Sequence, residues 1–129
     1  MLVIRKFLAA WTVTFILVFG LLGILLVWEL FKDSGTDWNF SILFLCFVFL
    51  FAIAGNLIYA LPISLMAEKI SEKVRGLKPF KTSLLIHIAA GLICFPLLGW
   101  FYGLFGCICC ILFFFVDHYF SKIPKLNVD

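Results

Sequence analysis

Residues 84–116, LLIHIAAGLICFPLLGWFYGLFGCICCILFFFV, decide the fold of this chain. The stretch is 33 residues long and contains no Asp, Glu, Lys or Arg. A straight helix of that length would extend about 50 Å, whereas the hydrocarbon core of a bilayer is about 30 Å thick. The stretch must therefore reverse direction, tilt steeply or protrude. The outcome determines the number of membrane spans and the side on which the C-terminus lies.

Residues 99–103, Gly-Trp-Phe-Tyr-Gly, lie near the middle of this stretch and favour a reversal. Glycine tolerates the backbone angles of a tight turn, and Trp, Phe and Tyr suit the membrane–water interface. Pro96 lies one turn earlier and weakens the helix there. We therefore predict two spans, about residues 83–98 and 101–119, joined by a tight hairpin.

The composition of the whole chain is that of a membrane protein. Of 129 residues, 65% are hydrophobic and 13% are charged, and the mean hydropathy is +1.21. Soluble domains have about 25% charged residues. The net charge of +3 is too small to suggest nucleic-acid binding. We find no catalytic motif, so the sequence predicts no enzyme activity, no bound cofactor and no metal.

The first half of the chain contains two further uncharged runs, residues 7–28 and 40–61. The first is too long for the apolar region of a signal peptide, which has about 7–15 residues. The polar segment 29–39 separates the two runs, with Ser34-Gly35-Thr36 as the helix breaker. We predict a retained first span and a second span. Gly20 and Gly23 could mark a close helix contact.

Residues 63–75 follow Pro62 and have the pattern of an amphipathic helix in the membrane interface. At 100° per residue, the apolar side chains after Ile63 cluster on one face, and most charged ones lie outside it. The apolar face comprises Met66, Ala67, Ile70, Val74 and Leu77. Gly76 and Pro79 end the helix. The alternative is a straight extension of the second span.

The positions of the basic residues predict the topology. The segment between the second and third spans is the most basic one, and it could also attract anionic lipid headgroups. Its basic residues are Lys69, Lys73, Arg75, Lys78 and Lys81. Four spans place nine of the ten basic residues on one side and leave only Lys32 on the other, whereas three spans divide them seven to three. The positive-inside rule therefore favours four spans in the cell membrane, with both termini cytoplasmic.

Three polar residues, Asn56, Tyr59 and His87, fall within the inner half of the predicted spans. An ionisable group inside a span is by default a functional hypothesis, and histidine can relay protons near neutral pH. The alternative is interhelical hydrogen bonding that only stabilises the bundle. Asp117 and His118 end the last span, and we interpret them as solvated interface residues.

All five cysteines are predicted to lie within roughly 6–14 Å of the outer boundary. They are Cys46, Cys94, Cys107, Cys109 and Cys110, of which Cys46, Cys94, Cys107 and Cys110 form the candidate thiol layer. Such a layer could bind a soft metal such as Cu(I) or form a disulfide. Cysteine is also a small hydrophobe that suits helix packing, and packing is the preferred interpretation.

Three features of the sequence resemble those of a known family. They are residues 59–64, Tyr-Ala-Leu-Pro-Ile-Ser, then residues 68–71, Glu-Lys-Ile-Ser, and then a span containing His87. Together they resemble a family of small uncharacterised four-helix membrane proteins from spore-forming Gram-positive bacteria. The resemblance implies a bacterial cytoplasmic membrane and no known activity. Small multidrug transporters have a similar size, but they need a glutamate buried within the first span, whereas Glu29 lies at the outer end of that span here.

The sequence therefore predicts an all-α, polytopic membrane protein: a single domain with four transmembrane helices in an antiparallel bundle and an amphipathic interfacial helix between helices 2 and 3. The leading functional hypothesis is a small accessory or modulator subunit that acts by helix association in a homo-oligomer or a larger membrane complex. One alternative is a small-solute or ion carrier that uses Asn56 and His87. The other is a thiol or soft-metal site in the outer half.

Overall fold

A computed structural model describes residues 2–32, 38–74, 76 and 78–124. The described residues form helices and no strand. In chain order, these are α1 (Leu2–Leu30), α2 (Trp38–Gly55), a π-helical turn (Asn56–Ala60), α3 (Leu61–Lys73) and α4 (Pro79–Ser121). The predicted breaker at 34–36, and the predicted surface residues Arg75 and Leu77, lie outside the described residues.

Within the described residues, three helices are long and apolar enough to cross a membrane. They are Leu2–Leu30, Asn39–Lys73 and Pro79–Ser121. Few of their apolar side chains are buried inside the protein, so most of this hydrophobic surface faces outward. A surface of this kind is stable in lipid and not in water. The chain is a helical membrane protein.

The predicted reversal within α4 is present, and Gly99 makes it. Gly99 has φ +81° and ψ 174°, a combination that is essentially restricted to glycine. Residues equally distant from Gly99 on its two sides lie against each other. A Cβ on Gly91 would be 2.9 Å from the Cα of Cys107, although a straight helix would separate these residues by about 24 Å. The first arm (residues 79–98) and the second arm (residues 100–121) therefore run side by side in opposite directions.

Glycines allow the two arms to approach closely. A Cβ added to Gly103 would lie 2.6 Å from the Cα of Phe95, and one added to Gly106 would lie 2.9 Å from the Sγ of Cys94. Small residues at helix contacts let backbones come together and increase van der Waals contact, which helps to drive helix association in lipid. Gly103 was expected in the turn itself, but it serves the contact between the arms.

The prediction of a separate helix at residues 63–75 is wrong in one respect: α3 is continuous with α2 through the π-helical turn. Helical structure runs from Asn39 to Lys73, as in the alternative of a straight extension. The reason is the π-helical turn before Pro62, in which the Leu61 N–H donates to the Asn56 carbonyl. A proline ring clashes with the carbonyl four residues earlier in a regular helix, and the wider turn relieves that clash.

The buried core lies at one end of the molecule. It contains small and medium apolar residues of α1, α2, the π turn and the second arm: Ala9, Ala10, Val13, Leu17, Ala52, Ala60 and Phe113. We call this half the charged end, because the charged residues described below lie beside it, and the half containing Gly99 the tip end. Among residues 18–30 of α1, all of which the structure describes, none is buried. The charged end therefore holds most of the contacts of α1.

Candidate functional site

Lys6 is the centre of a buried group of charges at the charged end. Only 1% of its surface is exposed. Its Nζ donates to Asp117 Oδ2 at 2.7 Å and to Ser64 Oγ at 2.6 Å, and it forms an ion pair with Glu68 Oε2 at 2.9 Å. The three acceptors come from α3 and from the end of the second arm. Lys6 thus joins α1 to both of these elements.

Arg5 binds the same two carboxylates from the neighbouring position. Its Nε donates to Asp117 Oδ1 at 3.0 Å, and its Nη2 lies 3.3 Å from both carboxylate oxygens of Glu68. The Ser64 hydroxyl donates to Asp117 Oδ2 at 3.1 Å. We call Arg5, Lys6, Ser64, Glu68 and Asp117 the ion cluster. Its two cations and two carboxylates cancel in formal charge.

The ion cluster forms because its residues lie at the same end of α1, α3 and the second arm. Arg5 and Lys6 lie in the first turns of α1, and Asp117 lies in the last turns of the second arm. Ser64 and Glu68 are four residues apart, so they share one face of α3. Because α1 starts where α3 and the second arm end, all five side chains reach the same level.

Pairing is what permits these charges to be buried. The effective cost of removing one ion from water is several kcal/mol, and it is offset only where opposite charges and hydrogen bonds surround the ion. Lys6 and Ser64 have the contact distance of a serine–lysine nucleophile pair. However, Lys6 donates to Ser64 and Asp117 and is paired with Glu68, so it is not available to accept the serine proton. The arrangement suits binding and structural pairing.

A cleft of about 290 Å³ opens next to the ion cluster. Its walls come from α1, α3 and both arms. It is lined by Arg5, Lys6, Ser64, Glu68, Ser71, Glu72, Pro79, Phe80, Ser83, Phe114, Asp117, His118 and Ser121. Except for Pro79, Phe80 and Phe114, every lining residue is polar or charged. This cleft is the candidate functional site.

Aromatic rings form one side of the cleft. The Phe80 ring lies 4.7 Å from the His118 ring and 5.1 Å from the Phe114 ring, measured between centroids. His87 packs behind Phe114 at 5.4 Å. Ring contacts between the two arms therefore hold the end of the hairpin together, and Phe80 and Phe114 contribute apolar surface to the cleft.

The predicted polar residues Asn56, Tyr59 and His87 each bond to a different partner. Asn56 Nδ2 donates to Thr14 Oγ1 at 3.0 Å, and the Tyr59 hydroxyl donates to the Ala90 carbonyl at 2.7 Å. These bonds connect the π turn with α1 and with the first arm. No hydrogen bond joins the three residues to one another in the described part of the chain.

His87 bonds within its own helix, where its Nδ1 lies 2.8 Å from the Ser83 carbonyl. Among the described residues, its Nε2 has no hydrogen-bond partner, and the same holds for Asn56 Oδ1 and Thr82 Oγ1, all three of which are buried. Three polar atoms without a described hydrogen-bond partner are therefore buried at the charged end. They are separate from the ion cluster, whose hydrogen bonds are made.

Most of the predicted thiol layer lies on the hairpin. Cys94 and Cys110 are buried, Cys107 is half-buried against Gly91, and Cys46 is exposed on α2. All five thiols are free. Among the residues the structure describes, no group of three or more His, Cys, Asp or Glu side chains is placed to hold a metal ion. The contacts of Cys94 and Cys107 are packing contacts between the arms.

The interpretation of Asp117 as a solvated interface residue is wrong. Asp117 is 9% exposed and is bound by two cations. Sequence reasoning treated Arg5 and Lys6 only as topology signals, although they are predicted at the same depth as Asp117. Opposite charges at matching depths on different spans were the signal that could have identified the ion cluster.

The predicted basic surface residues are exposed where the structure describes them. They are Lys69, Lys73, Lys78 and Lys81, at the end of α3 and the start of the first arm. Each is the sequence neighbour of a residue that lines the cleft, and we call them the basic rim. Comparison with known protein families, curated proteins and solved structures finds no match for this chain.

Proposed function

We propose that the chain crosses the cell membrane four times and that both termini are cytoplasmic. The hairpin at Gly99 supports this proposal, because each arm has the length of one span. The charge distribution supports it too: Arg5, Lys6 and the basic rim share one end of the molecule, and Lys32 is at the other. A fluorescent or phosphatase reporter fused after residue 129 tests the topology. Activity of the phosphatase fusion outside the cytoplasm would contradict four spans.

The resemblance to the four-helix family of spore-forming bacteria belongs to the same proposal. It depends on residues 59–64 and 68–71, which cover the end of the π turn and most of α3. These residues supply Ser64 and Glu68 to the ion cluster. Detection of the protein in the membrane fraction of a spore-forming Gram-positive bacterium would support the assignment.

The role that the geometry supports best is that of a small accessory subunit which acts by helix association. The observation that carries this role is the exposed face of α1 towards the tip end. A shallow apolar groove there is lined by Gly20, Gly23, Ile24, Val27, Trp28 and Phe31. A Cβ on Gly20 or Gly23 would meet nothing within 4 Å, so the close contact predicted for these glycines is not made among the residues that the structure describes. A helix of another membrane protein fits such a groove.

A photo-crosslinking amino acid at Ile24 tests the association. The matched control is the same amino acid at Leu92, which is exposed on the first arm. We expect one adduct of defined mass from position 24, lost when Gly20→Leu fills the groove, and only lipid adducts from position 92. Lipid adducts alone from both positions, together with a solitary protein in mild detergent, would contradict an accessory role.

A carrier of small solutes or ions is the second candidate, and the charged cleft favours it. Buried ionisable residues in membrane proteins commonly line solute or ion pathways. Flux measured in proteoliposomes under a pH gradient tests this candidate. We expect Asp117→Asn to abolish flux and His87→Ala to reduce it. Equal flux in wild type and both variants, or no flux above that of empty vesicles, would reject it.

The basic rim is proposed to contact anionic headgroups. Each lysine near an anionic surface contributes about 1 kcal/mol of attraction, which salt weakens. Bilayer vesicles with increasing anionic lipid should protect these lysines from acylation in low salt. Unchanged acylation rates would argue against the contact.

A further inference from the structure

The cleft has spare hydrogen-bond acceptors and few spare donors. Lys6 and Arg5 direct their donors to the carboxylates of the ion cluster. The hydroxyl protons of Ser64 and Ser71 are also used, by Asp117 and by the Glu68 carbonyl. Carboxylates and hydroxyls accept more than one hydrogen bond, so acceptor positions remain. A ligand that suits this cleft must bring hydrogen-bond donors.

The charge of the lining also favours a cation. Two cations, Arg5 and Lys6, face three carboxylates, and these five side chains together have a formal charge of −1. Glu68 keeps 31% of its side chain exposed, and Glu72 is exposed. Phe80 adds an aromatic face, which attracts ammonium groups. The lining thus has the features of an ammonium site.

The size and position of the cleft identify the molecule that carries the ammonium group. Its volume of about 290 Å³ is roughly ten times the share of one water molecule in the liquid, so a bare ion would not fill it. The cleft lies where α3 ends and where the hairpin begins and ends, which is the boundary of the membrane-crossing helices. Lys78 and Lys81 flank the lining residues Pro79 and Phe80, and they provide positive charge beside the opening.

We propose that the cleft binds the headgroup of a phospholipid with a primary amine. The ammonium group lies against Glu68 and Glu72, and the phosphate lies towards Lys78 and Lys81. The bilayer supplies such a headgroup at high effective concentration. This site goes beyond the accessory role, and it does not depend on which side of the membrane the charged end faces.

Lipid retention by the full-length protein tests the proposal. The protein is reconstituted with equal amounts of phosphatidylethanolamine, phosphatidylcholine and phosphatidylglycerol, extracted in mild detergent, and its retained lipids are quantified by mass spectrometry. We expect phosphatidylethanolamine to exceed phosphatidylcholine several-fold, because a trimethylammonium group has no N–H donor. Glu72→Gln should return the ratio to that of the bulk mixture, whereas Glu29→Gln, at the tip end, should leave it unchanged.

Two further experiments distinguish this site from lipid binding by the basic rim alone and from binding of a free amine. The first experiment compares the double variant Lys78→Gln, Lys81→Gln with Glu72→Gln. If the double variant retains less phosphatidylethanolamine and less phosphatidylglycerol while Glu72→Gln retains both normally, only the basic rim binds lipid. The proposal is then wrong. If soluble phosphoethanolamine displaces the retained lipid at millimolar concentration, the site takes a free amine and the commitment to lipid fails. Equal retention of phosphatidylethanolamine and phosphatidylcholine would also overturn it.

Discussion

The two halves of α1 differ in hydrophobicity and in surroundings: residues 2–17 include Arg5, Lys6 and two threonines, whereas residues 18–30 contain one charged residue, Glu29. Seven residues of its first half are buried, including the charged Arg5 and Lys6, whereas residues 18–30 contain no buried residue. The buried positions recur every three or four residues, as expected for one helix face. The more apolar half is the exposed one, so hydrophobic content alone does not predict which half is buried within the chain.

The difference shows what drives folding in lipid. Apolar side chains gain little from leaving a solvent that is itself apolar, so contacts depend on polar pairing and on close approach of small residues. The charged end has both: the ion cluster, and alanines at positions 9, 10, 52 and 60. Residues 18–30 of α1 are mostly leucine, valine and isoleucine, which lipid can solvate, and Gly20 and Gly23 approach no other described residue closely. Stability should therefore respond to changes at the charged end and between the arms of α4.

The largest effect is expected from Lys6→Ala. Removing this cation leaves Asp117 and Glu68 with one cation between them, and breaking a buried ion pair in this way costs about 3–5 kcal/mol. The matched control is Lys32→Ala, because Lys32 is exposed beyond the end of α1 and its side chain lies over the Trp28 ring, away from the ion cluster. Reversible unfolding in mixed detergent micelles measures both variants. Equal losses of unfolding free energy would contradict a structural role for the ion cluster.

A smaller loss is expected from Gly103→Ala. The added Cβ would lie 2.6 Å from the Phe95 backbone, so the two arms must move apart. Overpacking of this kind costs about 1–3 kcal/mol. Gly55→Ala is the control, because a Cβ there meets nothing within 4 Å, and alanine is a better helix former by about 1 kcal/mol. The two substitutions should change the unfolding free energy in opposite directions; losses of equal size would indicate that the arms are not in contact.

These contacts also show which features of the fold could be predicted from the sequence and which could not. Helices, and the reversal near Gly99, follow from the length of the apolar run and from glycine chemistry, both of which are local properties. The partners of Asn56 and Asp117 depend on which helix faces meet, and the helices are too uniformly apolar for the pattern to reveal their orientation. The continuity of α2 and α3 depended on the π turn, which the proline alone did not reveal.

A modest loss is expected from Thr14→Val. The Thr14 hydroxyl accepts from Asn56 Nδ2, and valine leaves that buried amide with only a 3.4 Å contact to the Ala10 carbonyl. Hydrogen bonds between membrane helices contribute about 0.6 kcal/mol on average, and at most about 2 kcal/mol. The same unfolding measurement should give a loss in this range. A loss as large as that of Lys6→Ala would mean that Asn56, and not the ion cluster, dominates the contact of α1.

The smallest effect is expected from Thr82→Val. This variant distinguishes a hydroxyl that is only buried from one that is also hydrogen-bonded. Thr82 is as buried as a core residue, but its Oγ1 has no hydrogen-bond partner. Replacing it with a group of the same shape removes an unpaired polar atom, which should be neutral or slightly stabilising. Since Thr14 and Thr82 receive the same substitution, the difference between their unfolding free energies measures the two hydrogen bonds of the Thr14 hydroxyl, from Asn56 and to the Ala10 carbonyl. If Thr82→Val is the more destabilising of the two, its hydroxyl has a partner, such as a buried water, and the first arm contributes a polar contact of its own to the charged end.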